Sequence, residues 1–328
     1  MSKQLLDPQG RQITYLRLSL TDRCNLRCFY CLPKGAKNFT PPNHWLSFDE
    51  IERLVSAFAA LGVARIRLTG GEPLVRPDAT SLIARLTAIP DIDELSLSTN
   101  ASLLSHYAQS LKEAGISRIN VSLDTLKTER FTEITGGGEL QPVLDGLAAA
   151  KRFGLQPIKI NMVAMKGIND DEFADMVRYC DKNNFTLRLI ETMPMGRSGQ
   201  KASDHYMDLS TVRQQLADEF NMVPGVMPGG GPARYLQAVD GGLKVGFITP
   251  MSQHFCETCN RVRLSVDGVL YLCLGQEHSF DFKPLLRSGV SDETLQAAII
   301  KALALKPAQH DFNQQPEKIV RFMSRLGG

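Results

Sequence analysis

The strongest constraint on the fold is a regular alternation of six short β-like runs with amphipathic helical stretches, which fills the first two thirds of the chain. Such alternation predicts right-handed βαβ units and a parallel sheet. Six units are two fewer than a closed barrel needs, so we expect an α/β fold with a partial (βα)6 TIM-type barrel, open laterally. The predicted strands are residues 15–20, 64–69, 94–99, 118–124, 157–163 and 186–191.

Between these runs lie predicted amphipathic helices at residues 48–61, 103–114, 143–153 and 172–182. The first has a clear start, because Ser47 and Glu50 have the spacing of a capping box. A barrel with an open side also needs another part of the chain to cover that side.

The composition changes to Gly and Pro near residues 224–232, which indicates a linker. Beyond it, Asp240-Gly241-Gly242 and Asp267-Gly268 each stand between short apolar runs, a pattern typical of antiparallel hairpins. Predicted helices at 282–287 and 292–305 follow. We therefore expect a barrel domain over residues 1–228 and a C-terminal α+β domain over 229–328 that covers the barrel opening.

The six predicted strands alternate polar and apolar residues, whereas parallel strands buried on both faces are nearly all apolar. The polar sets include Arg17, Arg65, Arg67, Lys159 and Arg188, together with Ser and Asn side chains. If the apolar set faces the helices, the barrel interior is polar and cationic. A bound polyanion would offset the cost of burying these charges. The alternative is a set of internal ion pairs with Glu72, Asp124 and Glu191 as partners.

Six of the seven cysteines form two triads, and Cys180 stands alone in a helical pattern as an expected core residue. Cys24, Cys28 and Cys31 lie on one polar loop without a fourth Cys or His nearby, since His44 follows a long proline-rich stretch. Three thiolates suit an iron–sulfur cluster that keeps one open iron better than a closed zinc site.

The second triad is Cys256, Cys259 and Cys273, and the 262–274 hairpin brings the last two together. His254 or His278 could complete a tetrahedral zinc site, so a zinc ribbon remains an alternative. Arg261 and Arg263 directly follow Cys259 on one strand face and resemble clamps for phosphate oxygens; a solvated strand face is the other interpretation.

Composition narrows the class of protein. The formal net charge is +2, charged residues make up 22%, and aromatic residues 7% with one Trp. These values disfavour a nucleic-acid or membrane-surface protein. The first residues lack the apolar core of a signal peptide, and no stretch reaches the length of a membrane span. In a chain without a secretory signal the thiols stay reduced, so clustered cysteines indicate metal ligands rather than disulfides. We expect a cytoplasmic metalloprotein.

Two motifs carry a resemblance. Cys24-x3-Cys28-x2-Cys31 with Gly70-Gly71-Glu72-Pro73 after the next strand resembles the radical S-adenosylmethionine superfamily. The segment 255–263 around the second triad, with the terminal Gly327-Gly328, resembles the GTP 3′,8-cyclase family of molybdenum cofactor biosynthesis over essentially the full length. Ser98, where threonine is usual, Ala101, where glycine is usual after Asn100, and Leu32, where methionine is usual, depart from the family pattern.

The resemblance implies two 4Fe-4S clusters, one on each triad, with S-adenosylmethionine on the open iron of the first and GTP on that of the second. It implies that a 5′-deoxyadenosyl radical takes the ribose 3′ hydrogen and that the ribose radical closes onto guanine C8. The implied S-adenosylmethionine contacts are Tyr30, Gly71, Ser122 and Met193. The implied nucleotide contacts are Arg17, Arg67, Ser98, Lys159, Arg188, Arg261 and Arg263, with Arg65 as a further candidate. Arg261, Arg263, Gly327 and Gly328 are the expected catalytic residues.

The implied partners are a reductase or flavodoxin-type electron donor, the cyclic pyranopterin monophosphate synthase and a second copy of the chain. Two other functions remain open from the residues: a radical enzyme with an auxiliary cluster that acts on a peptide, and a zinc-ribbon protein that binds nucleic acid. A peptide enzyme has no need for a cationic barrel interior.

Overall fold

The computed structural model describes residues 4–32, 35–37, 39–227 and 231–326. In this part of the chain, twelve strands form one sheet in the order β12-β11-β10-β1-β2-β3-β4-β5-β6-β9-β8-β7. The strands are β1 (Tyr15–Ser19), β2 (Arg65–Thr69), β3 (Glu94–Thr99), β4 (Arg118–Ser122), β5 (Ile158–Ala164), β6 (Thr186–Glu191), β7 (Met222–Gly225), β8 (Arg234–Ala238), β9 (Lys244–Ile248), β10 (Arg261–Leu264), β11 (Val269–Tyr271) and β12 (Ser279–Asp281).

Eleven α-helices accompany the described strands. They are α1 (Phe48–Ala60), α2 (Ala79–Thr87), α3 (Leu104–Glu113), α4 (Thr128–Thr135), α5 (Gln141–Arg152), α6 (Phe173–Asn183), α7 (Gly196–Ala202), α8 (Leu209–Glu219), α9 (Lys283–Arg287), α10 (Asp292–Leu303) and α11 (Met323–Leu326). The predicted capping box of α1 is confirmed: the Glu50 amide donates to Ser47 Oγ at 3.1 Å, and the Ser47 amide donates to Glu50 Oε2 at 2.8 Å.

Strands β1 to β6 are parallel and lie side by side, so the open partial barrel is confirmed. Their apolar side chains, such as Leu18, Ile66 and Leu97, are fully buried in the core that the helices cover. The opposite face therefore carries the polar set, as the alternation predicts. Cys180 is also fully buried, as expected.

The C-terminal strands differ from the expectation of antiparallel pairing alone. The two predicted hairpins are present as β8–β9 and β10–β11. However, β9 also pairs in parallel with β6, and β10 pairs in parallel with β1. The reason is that an open barrel leaves two edge strands with unpaired backbone groups, and each hairpin supplies one of them with a partner.

Strand β7 includes Pro224 and Gly225, the first two residues of the predicted linker, and pairs with β8 beyond it. The expected division between residues 228 and 229 thus falls between two paired strands, and the extent of the two domains stays a prediction. None of the helices in the described segments is both long and apolar enough to cross a membrane.

Candidate functional site

Two rows of side chains cross the three neighbouring strands β10, β1 and β2. Residues Arg263, Arg17 and Arg67 are Cα partners at one level, and Arg261, Tyr15 and Arg65 are partners one level below. The three arginines of the upper row are each at most 9% exposed. Like charges directly opposite each other destabilise a sheet, so this arrangement favours a bound polyanion over a structural role.

Burial acts strongly on these cations. It lowers the pKa of Arg17 well below its ordinary value, and Arg263 lowers it further. Burial also lowers the pKa of Arg263 and of Arg188 to about 10. For Lys159, burial and then the neighbouring Arg188 lower the pKa to about 7. An anion in this space would reverse these shifts, because it favours the charged forms.

The cations lie in one cavity between the barrel and the C-terminal strands. It brings together all of the predicted substrate residues with the second triad and one predicted S-adenosylmethionine contact: Arg17, Arg65, Arg67, Ser98, Lys159, Arg188, Arg261, Arg263, Met193, Cys256, Cys259 and Cys273. The arrangement suits a ligand that has several negative charges at one end and a group for the second triad at the other.

The three carboxylates considered as internal ion-pair partners are engaged elsewhere. Glu72 accepts from Thr99 Oγ1 at 2.8 Å and from the Asn100 amide at 2.7 Å. Asp124 accepts from Tyr30 Oη at 2.7 Å. Glu191 accepts from the Met251 amide at 2.8 Å. These contacts weigh against the ion-pair alternative for the cavity cations.

The first triad lies on the loop after β1, and the Gly70-Gly71 loop holds it. The Gly71 amide donates to Thr21 O at 2.7 Å, and the Glu72 amide donates to Arg23 O at 2.8 Å. A Cβ on Gly71 would lie 2.1 Å from Arg23 O. The closest approach of Gly71 in the structure is therefore to the backbone of the cysteine loop.

The first triad provides a donor set that fits an iron–sulfur cluster. Burial raises the pKa of Cys24 to about 11, that of Cys31 to about 12, and that of Cys28 well above its usual value. Three thiols held together in a desolvated loop become thiolates when they bind a metal centre, which releases their protons. The Leu26 amide, 3.4 Å from Cys24 Sγ, and Asn100 Nδ2, at 3.7 Å, supply polar contacts to that sulfur.

The second triad lines one end of the cavity. Cys256 and Cys259 are joined by a tight turn in which the Cys259 amide donates to Cys256 O at 3.1 Å, and Cys273 follows β11. Burial raises the pKa of Cys273, while for Cys259 the effect of burial is outweighed by Lys306 and Arg261, which lower its pKa. These thiols also fit a cluster, since each has a cation, Lys306, nearby.

Among the described side chains, no three of the types His, Cys, Asp and Glu converge closely enough to hold a single metal ion. Thiolates that bind different irons of one cluster have no need to converge on one point. His254 and His310 lie with their rings 6.3 Å apart near the second triad.

The two triads lie at opposite ends of adjacent parallel strands. The first follows the C-terminal end of β1, and the second precedes β10, whose Arg261 is level with Tyr15 at the start of β1. The five residues of β1 span about 13 Å at the rise of a β-strand. Strand β3 joins the two regions, because Ser98 lines the cavity and Asn100, two residues further, contacts Cys24.

The other predicted site residues do not share one location. The Tyr30 hydroxyl binds Asp124, and Ser122 is exposed at the end of β4. Gly327 and Gly328 lie outside the described residues. Ala101 is buried with φ at 62°, in the left-handed region that favours glycine. The Ala101 carbonyl faces Gly146 of α5, and a Cβ on Gly146 would lie 2.3 Å from that carbonyl oxygen.

The sequence interpretation missed several residues of the site. Tyr15, Arg118, Asn161, Tyr235, Phe255 and His310 line the cavity. Asn161 belongs to a polar alternation that was recognised, and Arg118 begins a predicted strand, so both could have been found from those patterns. Tyr15 and Tyr235 instead look like ordinary strand residues, and their position depends on cross-strand register.

Two family models match successive parts of the chain. Residues 18–180 match the family model of the radical SAM superfamily, and residues 185–312 match the family model described as Molybdenum Cofactor Synthesis C. A protein named GTP 3′,8-cyclase from Bradyrhizobium diazoefficiens is 45% identical to this chain, and the match covers 100% of this chain and 97% of that protein. One of the same name from Paracoccus denitrificans is also 45% identical, over 99% of this chain and 96% of its own.

Among solved structures, Streptococcus suis SuiB bound to S-adenosylmethionine resembles the fold, with a TM-score of 0.59 and 14% sequence identity. The match covers 91% of this chain and 71% of that one.

Proposed function

The chain belongs to the GTP 3′,8-cyclase family of the radical S-adenosylmethionine superfamily, and on this premise we propose that it converts GTP to (8S)-3′,8-cyclo-7,8-dihydroguanosine 5′-triphosphate, the first step of molybdenum cofactor biosynthesis. The observation that carries the proposal is the cavity itself. The second triad lies at one end of the cavity and a row of buried arginines lies along its wall, and the first triad lies beyond its other end.

Cys24, Cys28 and Cys31 hold one 4Fe-4S cluster in this proposal, and Cys256, Cys259 and Cys273 hold the second. When bound, the first cluster supplies the electron that cleaves S-adenosylmethionine and thereby produces the radical that removes the ribose 3′ hydrogen. The residues of the chain orient the two substrates. Contacts to S-adenosylmethionine come from Tyr30, Gly71, Ser122 and Met193, and Met193 also lines the GTP cavity.

The barrel cations bind the triphosphate. The guanidinium groups of Arg17, Arg67 and Arg263 present planar, paired N–H donors that match phosphate oxygens. Ser98, Lys159 and Arg188 extend this surface across the neighbouring strands, and Arg261 contacts the nucleotide beside the second triad. Holding the triphosphate here directs the guanine towards the second cluster, and Gly327-Gly328 complete the catalytic set in the proposal.

Three further partners belong to the proposal. A reductase or flavodoxin-type protein donates electrons, the cyclic pyranopterin monophosphate synthase consumes the product, and the enzyme acts in the cytoplasm as a homodimer. Each has its own test, namely reduction kinetics, a coupled product assay and sedimentation of the reconstituted protein.

Anaerobic incubation of the reconstituted, reduced enzyme with S-adenosylmethionine tests the function. We expect 5′-deoxyadenosine to accumulate when GTP is added and little when GTP is absent. Formation that depends on a peptide and not on GTP would favour the peptide-modifying alternative. Zinc without iron and acid-labile sulfide after anaerobic purification would support the zinc-ribbon alternative.

A further inference from the structure

Lys306 is a buried cation that the proposed function does not use. It is 3% exposed and lies just beyond the C-terminal end of α10. Its ammonium donates to Leu272 O at 2.5 Å and to Arg261 O at 3.1 Å, and it lies 3.9 Å from Cys259 Sγ. An ammonium has three N–H groups, and these three contacts account for all of them.

The two carbonyl groups belong to the two sides of the hairpin that carries the second triad. Leu272 directly precedes Cys273, and Arg261 follows Cys259 by two residues. A single ammonium thus bridges the backbone next to both cysteines. This bridge fixes the position of the Cys259 backbone relative to the Cys273 backbone.

The charge of Lys306 also needs an anion nearby, because an unpaired buried ammonium is costly. Cys259 Sγ lies 3.9 Å from the ammonium, and it becomes a thiolate when it binds a metal centre. The carboxylate of Asp7 is bound to Arg11 at 2.5 Å. The thiolates of the second triad are therefore the natural counter-charge of Lys306.

We propose that Lys306 is a positioning residue for the second triad, which holds Cys259 and Cys273 for cluster binding and raises the reduction potential of the bound cluster. Reduction adds negative charge to a cluster, so a fixed cation beside one of its sulfurs stabilises the reduced form more than the oxidised form. Hydrogen bonds to the sulfurs and net charge are known to set such potentials. The proposal rests on the second cluster of the proposed function.

The test uses the full-length chain with Cys24→Ala, Cys28→Ala and Cys31→Ala as the parent, so that the second cluster alone is observed. Lys306→Arg keeps the charge, Lys306→Gln keeps donors without charge, and Lys306→Met removes both. Lys301→Met is the matched control, because Lys301 is exposed on α10. The readouts are the reduction potential in a spectroscopic redox titration and the rate of iron loss to a chelator, both without GTP.

We expect Lys306→Met to lose iron about 10- to 100-fold faster than the parent, because removing such a supporting contact lowers metal affinity by about that factor. We expect Lys306→Gln to have a lower potential than the parent and Lys306→Arg to stay near it. If Gln and Arg variants share the parent's potential and iron retention, the proposal is overturned even if the Met variant fails to fold. A parent without iron would instead overturn the second cluster itself, and this inference with it.

Discussion

At the scale of single residues, burial disfavours the charged forms of the cavity cations in the free protein. Lys159 shows this most clearly. It lines the cavity, its Nζ lies 5.9 Å from the ring centre of Tyr235, and burial together with Arg188 lowers its pKa to about 7. Arginine at the same position would remain charged at any physiological pH.

This pKa predicts proton uptake when GTP binds. Above pH 7 the Lys159 amine of the free enzyme is mostly neutral, and a triphosphate beside it favours the charged form. At pH 8 we therefore expect binding to take up close to one proton, and at pH 6 much less, because the amine is already charged. Calorimetry in two buffers of different ionisation enthalpy measures this number, and Lys159→Arg should abolish the uptake at pH 8. Equal uptake by both proteins at that pH would contradict the assignment.

Part of the residue set could be predicted from the sequence, since polar alternation identifies which side chains share one face of a strand. It could not show that Arg263, Arg17 and Arg67 form one row, because that depends on the pairing of β1 with β10, almost 250 residues away. Lys306 was missed for a related reason. It sits at the end of an ordinary amphipathic helix, and only the tertiary fold brings it to Cys259.

At the scale of elements, strand β10 both borders the second triad and supplies two cavity arginines. Arg263→Ala should leave the iron content of both clusters unchanged and raise the KM for GTP about 10- to 100-fold, the effect of losing a charged hydrogen bond to phosphate. Steady-state kinetics and iron analysis measure the two quantities. Arg152→Ala on the exposed face of α5 is the control. Loss of iron in the Arg263 variant would mark this arginine as structural instead.

The contact between the Gly70-Gly71 loop and the cysteine loop gives a second prediction at this scale. In Gly71→Ala the new Cβ would lie 2.1 Å from Arg23 O and 2.9 Å from Cys24 N, so the cysteine loop has to move. We expect the first cluster to be lost and the second retained, which is about half of the iron. Gly242→Ala, in an exposed turn with its nearest neighbour at 3.6 Å, is the matched control. Full iron content in the Gly71 variant would show that the loop adapts.

The periodic elements could be predicted closely. Strands β3 and β6 have the predicted bounds, β1, β2 and β4 differ by one or two residues at one end, and β5 is shifted by one residue at both ends. Helices α2, α4, α7, α8 and α11 were missed. Three of them, α2, α4 and α7, are short and have no side-chain cap at the N-terminus, whereas α8 has eleven residues and Asp208 as its N-cap. The parallel pairing of β9 and β10 with the barrel could not be predicted, because a hairpin signal shows only its local partner.

At the scale of the whole molecule, the C-terminal strands complete the barrel wall and place the second triad opposite the first. The open barrel and the need for a cover could be predicted from the number of βα units. The C-terminal part differs from the expected separate domain, because its strands β10 and β9 pair with the two edges of the barrel, β1 and β6, within a single sheet. This arrangement puts the arginines of β10, β1 and β2 between the two triads, in the cavity that the second triad lines.

The most direct test of the central claim follows a single hydrogen atom. The reconstituted, reduced enzyme is given S-adenosylmethionine and GTP that carries deuterium at the ribose 3′ position, and the 5′-deoxyadenosine is analysed by mass spectrometry. We predict that one deuterium appears in the 5′-deoxyadenosine and that its formation requires GTP. Unlabelled 5′-deoxyadenosine formed at the same rate with and without GTP would contradict the account.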